Sequence, residues 1–263
     1  IFLCYYFLTL KKKHYLLLAG LVMCMAVSLM LPVMNGQRGP VVMSLLTIIS
    51  GYMLFKRYMA KRLVRIVRIV GIVGMAAAIV PIIAITMSRY ANLQKSTVMD
   101  SINWYVGQCN IYFNNYGLDN GGIRNGDRTF NLVKRVIDPS TPTNFIERRI
   151  KYHNLKSDDN IFTTFVGDFA IDFGPIVAFV IFVAFNAYVV SRTRRYKDKI
   201  SVHQLLLLFF TQCVCMQGGM TLFSFSDTGN LKMFVIFMLY AYLRYHKTLT
   251  HCFPKTITVP TEQ

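Results

Sequence analysis

Acidic residues are scarce in this chain. Its 263 residues hold 12 Asp and Glu against 29 Lys and Arg, and no acid precedes Asp100. Charged residues of both signs make up only 16%, while 54% are apolar, a balance that excludes an ordinary water-soluble surface. Internal repeats, low-complexity tracts and a glycine-rich phosphate loop are also absent. The six cysteines are scattered. Cys213 and Cys215 stand one residue apart in an apolar run, too close for the usual zinc spacing, so packing is their expected role.

Long apolar sequence is what the chain has in quantity. Crossing about 30 Å of hydrocarbon takes roughly 20 helical residues with few charges, because each unsatisfied backbone group costs several kcal/mol there. Six stretches fit: Tyr15 to Met34, Pro40 to Phe55, Ile69 to Ser88, Phe173 to Val190, Val202 to Phe225 and Leu231 to Tyr245. A seventh, Ile1 to Leu10, is half long enough. It lacks the basic start and small-residue cleavage site of a signal peptide, so it reads as the end of a truncated helix. The expected fold is all-α, a polytopic transmembrane helix bundle with a large, partly helical extracytoplasmic loop. Membrane helices occupy residues 1–88 and 173–245, the loop 89–172 and a cytoplasmic tail 246–263. Pro81, and Gly218 with Gly219, mark places where a span can loosen or pack closely.

Orientation follows from the cations, since short loops rich in Lys and Arg stay cytoplasmic. Lys11 to Lys13, Lys56 to Arg68, Arg192 to Lys199 and Arg244 to Lys255 fall on one side and carry 17 of the 29 basic residues. Only Asp198 and Glu262 oppose them there. The net charge of +17 is thus mostly a topology signal, and nucleic acid is not expected as a partner. The segment from Lys56 to Arg68 also has the pattern of an amphipathic helix on anionic lipid, though a flank that stops translocation has the same composition.

The segment from Arg89 to Asp172 carries nine of the 12 acids and the only Trp. A loop that long usually has structure and function of its own. NGGIRNGDR, around Gly121, Gly122 and Gly126, reads as a pair of turns leading to a short helix by Lys134. A second helix is expected from Thr141 to Leu155, capped by Thr143 or Asn144 with Glu147 in its first turn. Arg148, Arg149, Lys151 and His153 follow, a pattern that suits either a phosphate or a helix lying on a membrane surface. The loop has one His and one Cys, Cys109, and apart from Asp158 with Asp159 its acids are dispersed. Neither a disulfide within it nor a metal site is expected, and no cofactor is called for.

Three segments carry a family likeness. DNIFTTFVGDFAIDFGPIVAFVIF, from Asp159 to Phe182, resembles the acidic, glycine-punctuated start of a late span in bacterial oligosaccharide repeat-unit polymerases of the Wzy type. NGQRGPVVM, from Asn35 to Met43, is similar to that family's short outer turn with an Arg before a span, and IYFNNYGLDN resembles its loop start. Together with their surroundings they cover most of the chain from about Tyr15 to Phe225. The resemblance implies a multi-pass protein of the bacterial inner membrane that polymerises undecaprenyl-pyrophosphate-linked glycans into O-antigen or capsule at the outer face. Membrane lipid and a chain-length regulator would be its partners. An O-antigen ligase shares the donor and differs in acceptor. A transporter of lipid-linked oligosaccharide needs a polar path through the midplane, and these spans hold almost no charge.

That reaction needs cations for the pyrophosphate and a base for the acceptor hydroxyl. Arg donates a bidentate fork and stays charged. Arg38 and Arg89 stand at the outer ends of spans, whereas Arg124, Arg128, Arg135, Arg148 and Arg149 must fold back to reach the lipid; snorkelling to headgroups is the alternative role for each. Asp168 and Asp172, four residues apart and therefore on one helix face, are the candidate bases, with His153 as the third. At the start of a span Asp172 also suits a plain dipole role.

Overall fold

The computed structural model describes residues 1–10, 14–90, 98–158, 163–193, 199–218, 227–245 and 256–258. These residues are overwhelmingly helical. The exception is a two-stranded antiparallel ladder, β1 (Lys199–Ser201) with β2 (Thr256–Thr258), which sets Ile200 opposite Ile257. The chain divides into two units: Ile1–Asp100 with Tyr196–Cys213 and His246–Gln263, and Ser101–Arg195 with Val214–Tyr245.

In the first unit, α1 (Phe2–Thr9) packs against α2 (Tyr15–Met34) and α3 (Arg38–Phe55), and α4 (Lys61–Tyr90) packs against α2 and α3. Aromatic residues make its core. Tyr5 stacks on Phe55 and donates its hydroxyl to the Ile48 carbonyl at 2.9 Å, while Phe2 meets Phe55 edge-on. A single turn of 3₁₀ helix, Lys56–Tyr58, separates α3 from α4, so the cations from Lys56 to Arg68 are split between that turn and the start of a helix. α4 runs on through Pro81 without a break.

The second unit contains α5 (Val98–Tyr112), whose first residues lie in the first unit, and a π-helical turn, Phe113–Gly117. Then follow α6 (Asn131–Ile137), α7 (Phe145–Lys151), α8 (Thr164–Phe173), α9 (Pro175–Thr193) and α11 (Asp227–Tyr245). The helix α10 (Val202–Gln217) belongs to the first unit as far as Cys213. α8 packs on α9 and on the π-helical turn, and α6 packs on α11. Phe169 and Ala170 of α8 with Ala178 of α9 form the apolar core, ringed by Phe113, Phe165, Phe173 and Phe182.

Among the described residues, four helical segments are long and apolar enough to cross a membrane: Tyr15–Met34, Gly39–Tyr58, Lys61–Ile85 and Pro175–Thr193. α2 buries none of its residues inside the protein, and Leu16 is 91% exposed. The remaining two of the six expected spans differ. α10 is apolar but spans only 16 residues, and its expected continuation to Phe225 lies, from Gly219 onwards, outside the described residues. α11 includes Asp227, Lys232 and Arg244 and does not join the apolar four.

The expected span from Phe173 also starts elsewhere. Phe173 closes α8, and Gly174 breaks the chain at φ 81°, ψ 156°, a conformation open essentially to glycine alone. Pro175 then begins α9, because proline suits a first helical position and keeps the residue before it out of helical geometry. Asp172 therefore lies near the C-terminal end of a ten-residue helix and not at the N-terminus of a span, so the dipole role expected for it does not apply.

Candidate functional site

The described part of the polar segment from Asp119 to Phe173 folds around charged and polar side chains. Its first element is the turn at Arg124 to Asp127, where Asn125 has φ 51° and Gly126 φ 81°. Backbone bonds fasten that turn to α8: Arg124 N–H donates to Ile171 O at 3.3 Å and Asn125 N–H to Asp172 O at 2.9 Å. The next three side chains are thereby placed.

Arg128 and Asp168 form a fully buried ion pair. Nε donates to Asp168 Oδ1 at 3.0 Å, and Nη2 approaches the same oxygen at 2.9 Å. The Thr163 hydroxyl donates to that oxygen at 2.8 Å. Thr164, next in the chain, takes a left-handed φ of 65°, unusual for a β-branched residue, where α8 begins. Asp172, one turn on and fully buried, accepts from the Thr129 N–H and from its hydroxyl, both at 2.6 Å on Oδ2. Its Oδ1 is buried and meets no hydrogen-bond partner among the described residues. Burial pushes this carboxyl up to about 6, against the opposing pull of the Thr129 bonds and of the Arg128 and Arg124 charges.

Asp127 anchors a second cluster. Its buried carboxylate accepts from Lys134, from Lys151 at 2.7 Å and from the Tyr152 hydroxyl at 2.6 Å. Burial alone would push the Asp127 carboxyl up; these three partners outweigh it and hold the group below its ordinary value. Tyr152 is shifted up, first by burial and then by its bond to Asp127. Arg124, also buried, donates through Nη2 to Ser157 O at 2.6 Å and Oγ at 3.1 Å, and its guanidinium lies 5.8 Å from the centre of the Tyr152 ring.

Arg124 also lines a cavity of about 460 Å³. Its lining includes Arg124, Arg149, Lys156 and His153, the carboxylate of Asp158, and the apolar side chains of Ile146, Ile150 and Leu155. Arg149 pairs with Asp158 at 2.8 Å and Lys156 pairs with Asp119. Such a lining combines cationic donors with apolar side chains, which suits an amphiphilic anion.

The structure brings together Arg124, Arg128, Asp168 and Asp172, and on the cavity wall Arg149 and His153. His153 is exposed, and its Nδ1 lies 2.9 Å from Ile150 O. Arg148 is buried in α7, and Arg135 donates to Pro142 O and Thr143 O at 3.3 Å, holding the connection between α6 and α7. The cap of α7 is as expected: Asn144 Oδ1 accepts from the Glu147 N–H at 3.0 Å, and Glu147 reaches back to the Thr143 N–H at 2.6 Å. The helix itself is shorter than expected, ending at Lys151. Arg38 opens α3 and Arg89 lies near the end of α4, but their side chains, like the whole of Asp159, are outside the described residues.

Sequence reasoning missed Asp127, Thr129, Tyr152, Lys156 and Ser157. The one available signal for the first two was their position beside Arg128 in a glycine-flanked turn, where close backbone approach brings neighbouring side chains to a common partner. No protein-family model matches the chain, and no curated protein or solved structure is significantly similar to it.

Proposed function

We propose that the chain is a multi-pass inner-membrane polymerase that joins oligosaccharide repeat units carried on undecaprenyl pyrophosphate. The observation that carries this reading is Asp172. It is a buried carboxyl shifted up to about 6, with one oxygen unpartnered among the described residues, three residues before an apolar helix long enough to cross a membrane. A group with that value is ionised at neutral pH yet basic enough to take a proton in a transition state. A lipid-linked substrate would present its sugar next to the bilayer, where α9 begins.

In the reaction the free hydroxyl of one repeat unit attacks the anomeric carbon of another. Its proton passes to Asp172, the carbon–oxygen bond to pyrophosphate breaks, and the lipid pyrophosphate leaves with the bonding electrons. Arg124, Arg149 and Lys156 of the cavity are the cations that would hold the departing charge, and Ile146 and Ile150 would meet the first part of the lipid. Arg128 and Asp168 position α8 against the turn that holds Asp172, and Asp168, whose charge is already paired with Arg128, is the weaker of the two candidate bases. The substrate must displace the cover over Asp172 to reach it.

The test is polymerisation of purified lipid-linked repeat units by the full chain and by Asp172→Asn. The variant is expected to insert and fold while losing roughly 100-fold to 10,000-fold in rate. A near-normal rate would remove Asp172 as the base, and transfer by the parent chain to lipid A core alone would make it a ligase.

A further inference from the structure

Helix α6 is amphipathic with its faces exchanged. Val133, Val136 and Ile137 stand three and four residues apart and so share one face, and all three are exposed, Val136 and Ile137 by more than 80%. Its polar residues are the ones that meet the protein. Asn131 is buried, Lys134 bonds to the Asp127 carboxylate, and Arg135 donates to the carbonyls of Pro142 and Thr143. A helix on the surface of a water-soluble protein is held the other way round, with its apolar stripe inward.

This apolar face continues to the start of α9. Phe130, just before α6 and also exposed, sets its ring 5.8 Å from that of Phe169 and 6.0 Å from that of Phe173, two residues before α9 begins at Pro175. Exposed Ile123 lies beside Gly174, where an added Cβ would stand 3.8 Å from its Cγ2. Ile176, in the first turn of α9, is exposed as well. Three stretches of chain thus gather exposed apolar side chains around one point, the pattern of a surface that meets something apolar. A helix of 19 residues rises about 28 Å, close to the roughly 30 Å of a hydrocarbon layer, so when α9 crosses a bilayer its first turn stands at the boundary.

We infer that the face of α6 made by Val133, Val136 and Ile137 is seated in the bilayer surface beside the start of α9. Its side chains enter the boundary between headgroups and acyl chains, the depth at which amphipathic helices lie, while Lys134 and Arg135 keep their bonds to the polar segment. A lipid surface is favoured over a second protein because the patch is continuous with a helix whose own exposed side chains suit hydrocarbon. The inference rests on α9 crossing the bilayer, the membrane part of the reading above, and on nothing in the glycan reaction.

Tryptophan fluorescence of the full chain in phosphatidylcholine vesicles tests this, with lipids brominated near the top of the acyl chains as quenchers. Ile137→Trp adds one tryptophan to Trp104, and the emission gained over the parent chain is read. Most of that gain is expected to be lost in brominated vesicles and to resist aqueous iodide. Val136→Trp repeats the measurement at a neighbouring exposed position, which keeps the test decisive if the first variant does not fold. Val180→Trp, at an exposed position of α9, reports separately on the span. Quenching of Val180→Trp without quenching on α6 would overturn the docking and leave the membrane reading standing; no quenching at any of these positions would remove both. Protection from iodide without quenching by bromine, lost as the protein is diluted into more lipid, would overturn the bilayer as the cover in favour of a second copy of the chain.

Discussion

Helix α2 and the segment from Asn120 to Phe173 are inverted with respect to one another. α2 buries nothing and turns its Leu, Met and Val side chains outward. The polar segment buries Arg124, Asp127, Arg128, Arg148, Asp168 and Asp172, side chains that ordinarily stay in water, and leaves Val136 and Ile137 more than 80% exposed. Burial in the polar segment is therefore not sorted by polarity. It is sorted by whether a partner is supplied. An apolar helix in hydrocarbon needs none, while a carboxylate withdrawn from water needs an opposite charge or several donors.

The comparison breaks first, and hardest, at the Arg128–Asp168 pair. Arg128→Ala removes the ion-pair partner of a fully buried carboxylate, and an uncompensated charge of that kind typically costs about 3–5 kcal/mol, readable as a fall in the denaturation midpoint. Arg128→Met combined with Asp168→Leu removes both charges and should recover most of that loss, because an apolar pair of similar volume has no desolvation to offset. A double variant no more stable than the single would mean that the pair's fixed geometry, and not charge compensation, holds this region together.

The opposite test is made on α2. Met23→Asp, at an outward position near the middle of the helix, should cost roughly 2.5–3.5 kcal/mol in an insertion assay if that face meets lipid. The same change on a water-facing helix is usually worth within about 0.5 kcal/mol. A small effect would transfer α2 to the same regime as the polar segment.

The smallest effect is a pH dependence. Asp172 has a folded value of about 6, above its ordinary one, so the folded state holds that proton more tightly than the unfolded chain does. Its contribution to stability is present below about pH 4 and is lost as pH rises through 6, amounting at most to about 3 kcal/mol. The stability of Asp172→Asn relative to the parent chain should therefore improve between pH 4 and pH 7. A flat difference would show that Asp172 has the same affinity for its proton folded and unfolded.

Several features are readable directly from residue order. The apolar runs from Tyr15, Pro40 and Ile69 coincide with helices able to cross a membrane, and Asn144 with Glu147 marks the start of α7. The Gly-Pro pair at 174–175 is a local signal as well, and the boundary between α8 and α9 follows it rather than the apolar run that begins one residue earlier. Both kinds of signal are local: a helix long enough to satisfy its own backbone, or a cap that bonds three residues away, depends on neighbours in the chain.

The functional residues are different in kind. Asp168 and Asp172 are adjacent on α8 by helical spacing alone, yet one pairs with Arg128, 40 residues away, and the other accepts from Thr129, 43 residues away. Arg124 looks in the sequence like Arg149, but the first is buried on Ser157 and the second exposed on Asp158. Residue identity by itself determined the apolar helices, the basic-residue asymmetry and the local caps, because hydrocarbon and backbone geometry act on short stretches of chain. Which charges are buried, which are paired and which carboxyl is shifted up was decided only by the tertiary structure. Desolvation and ion pairing depend on distances between segments that are remote in sequence.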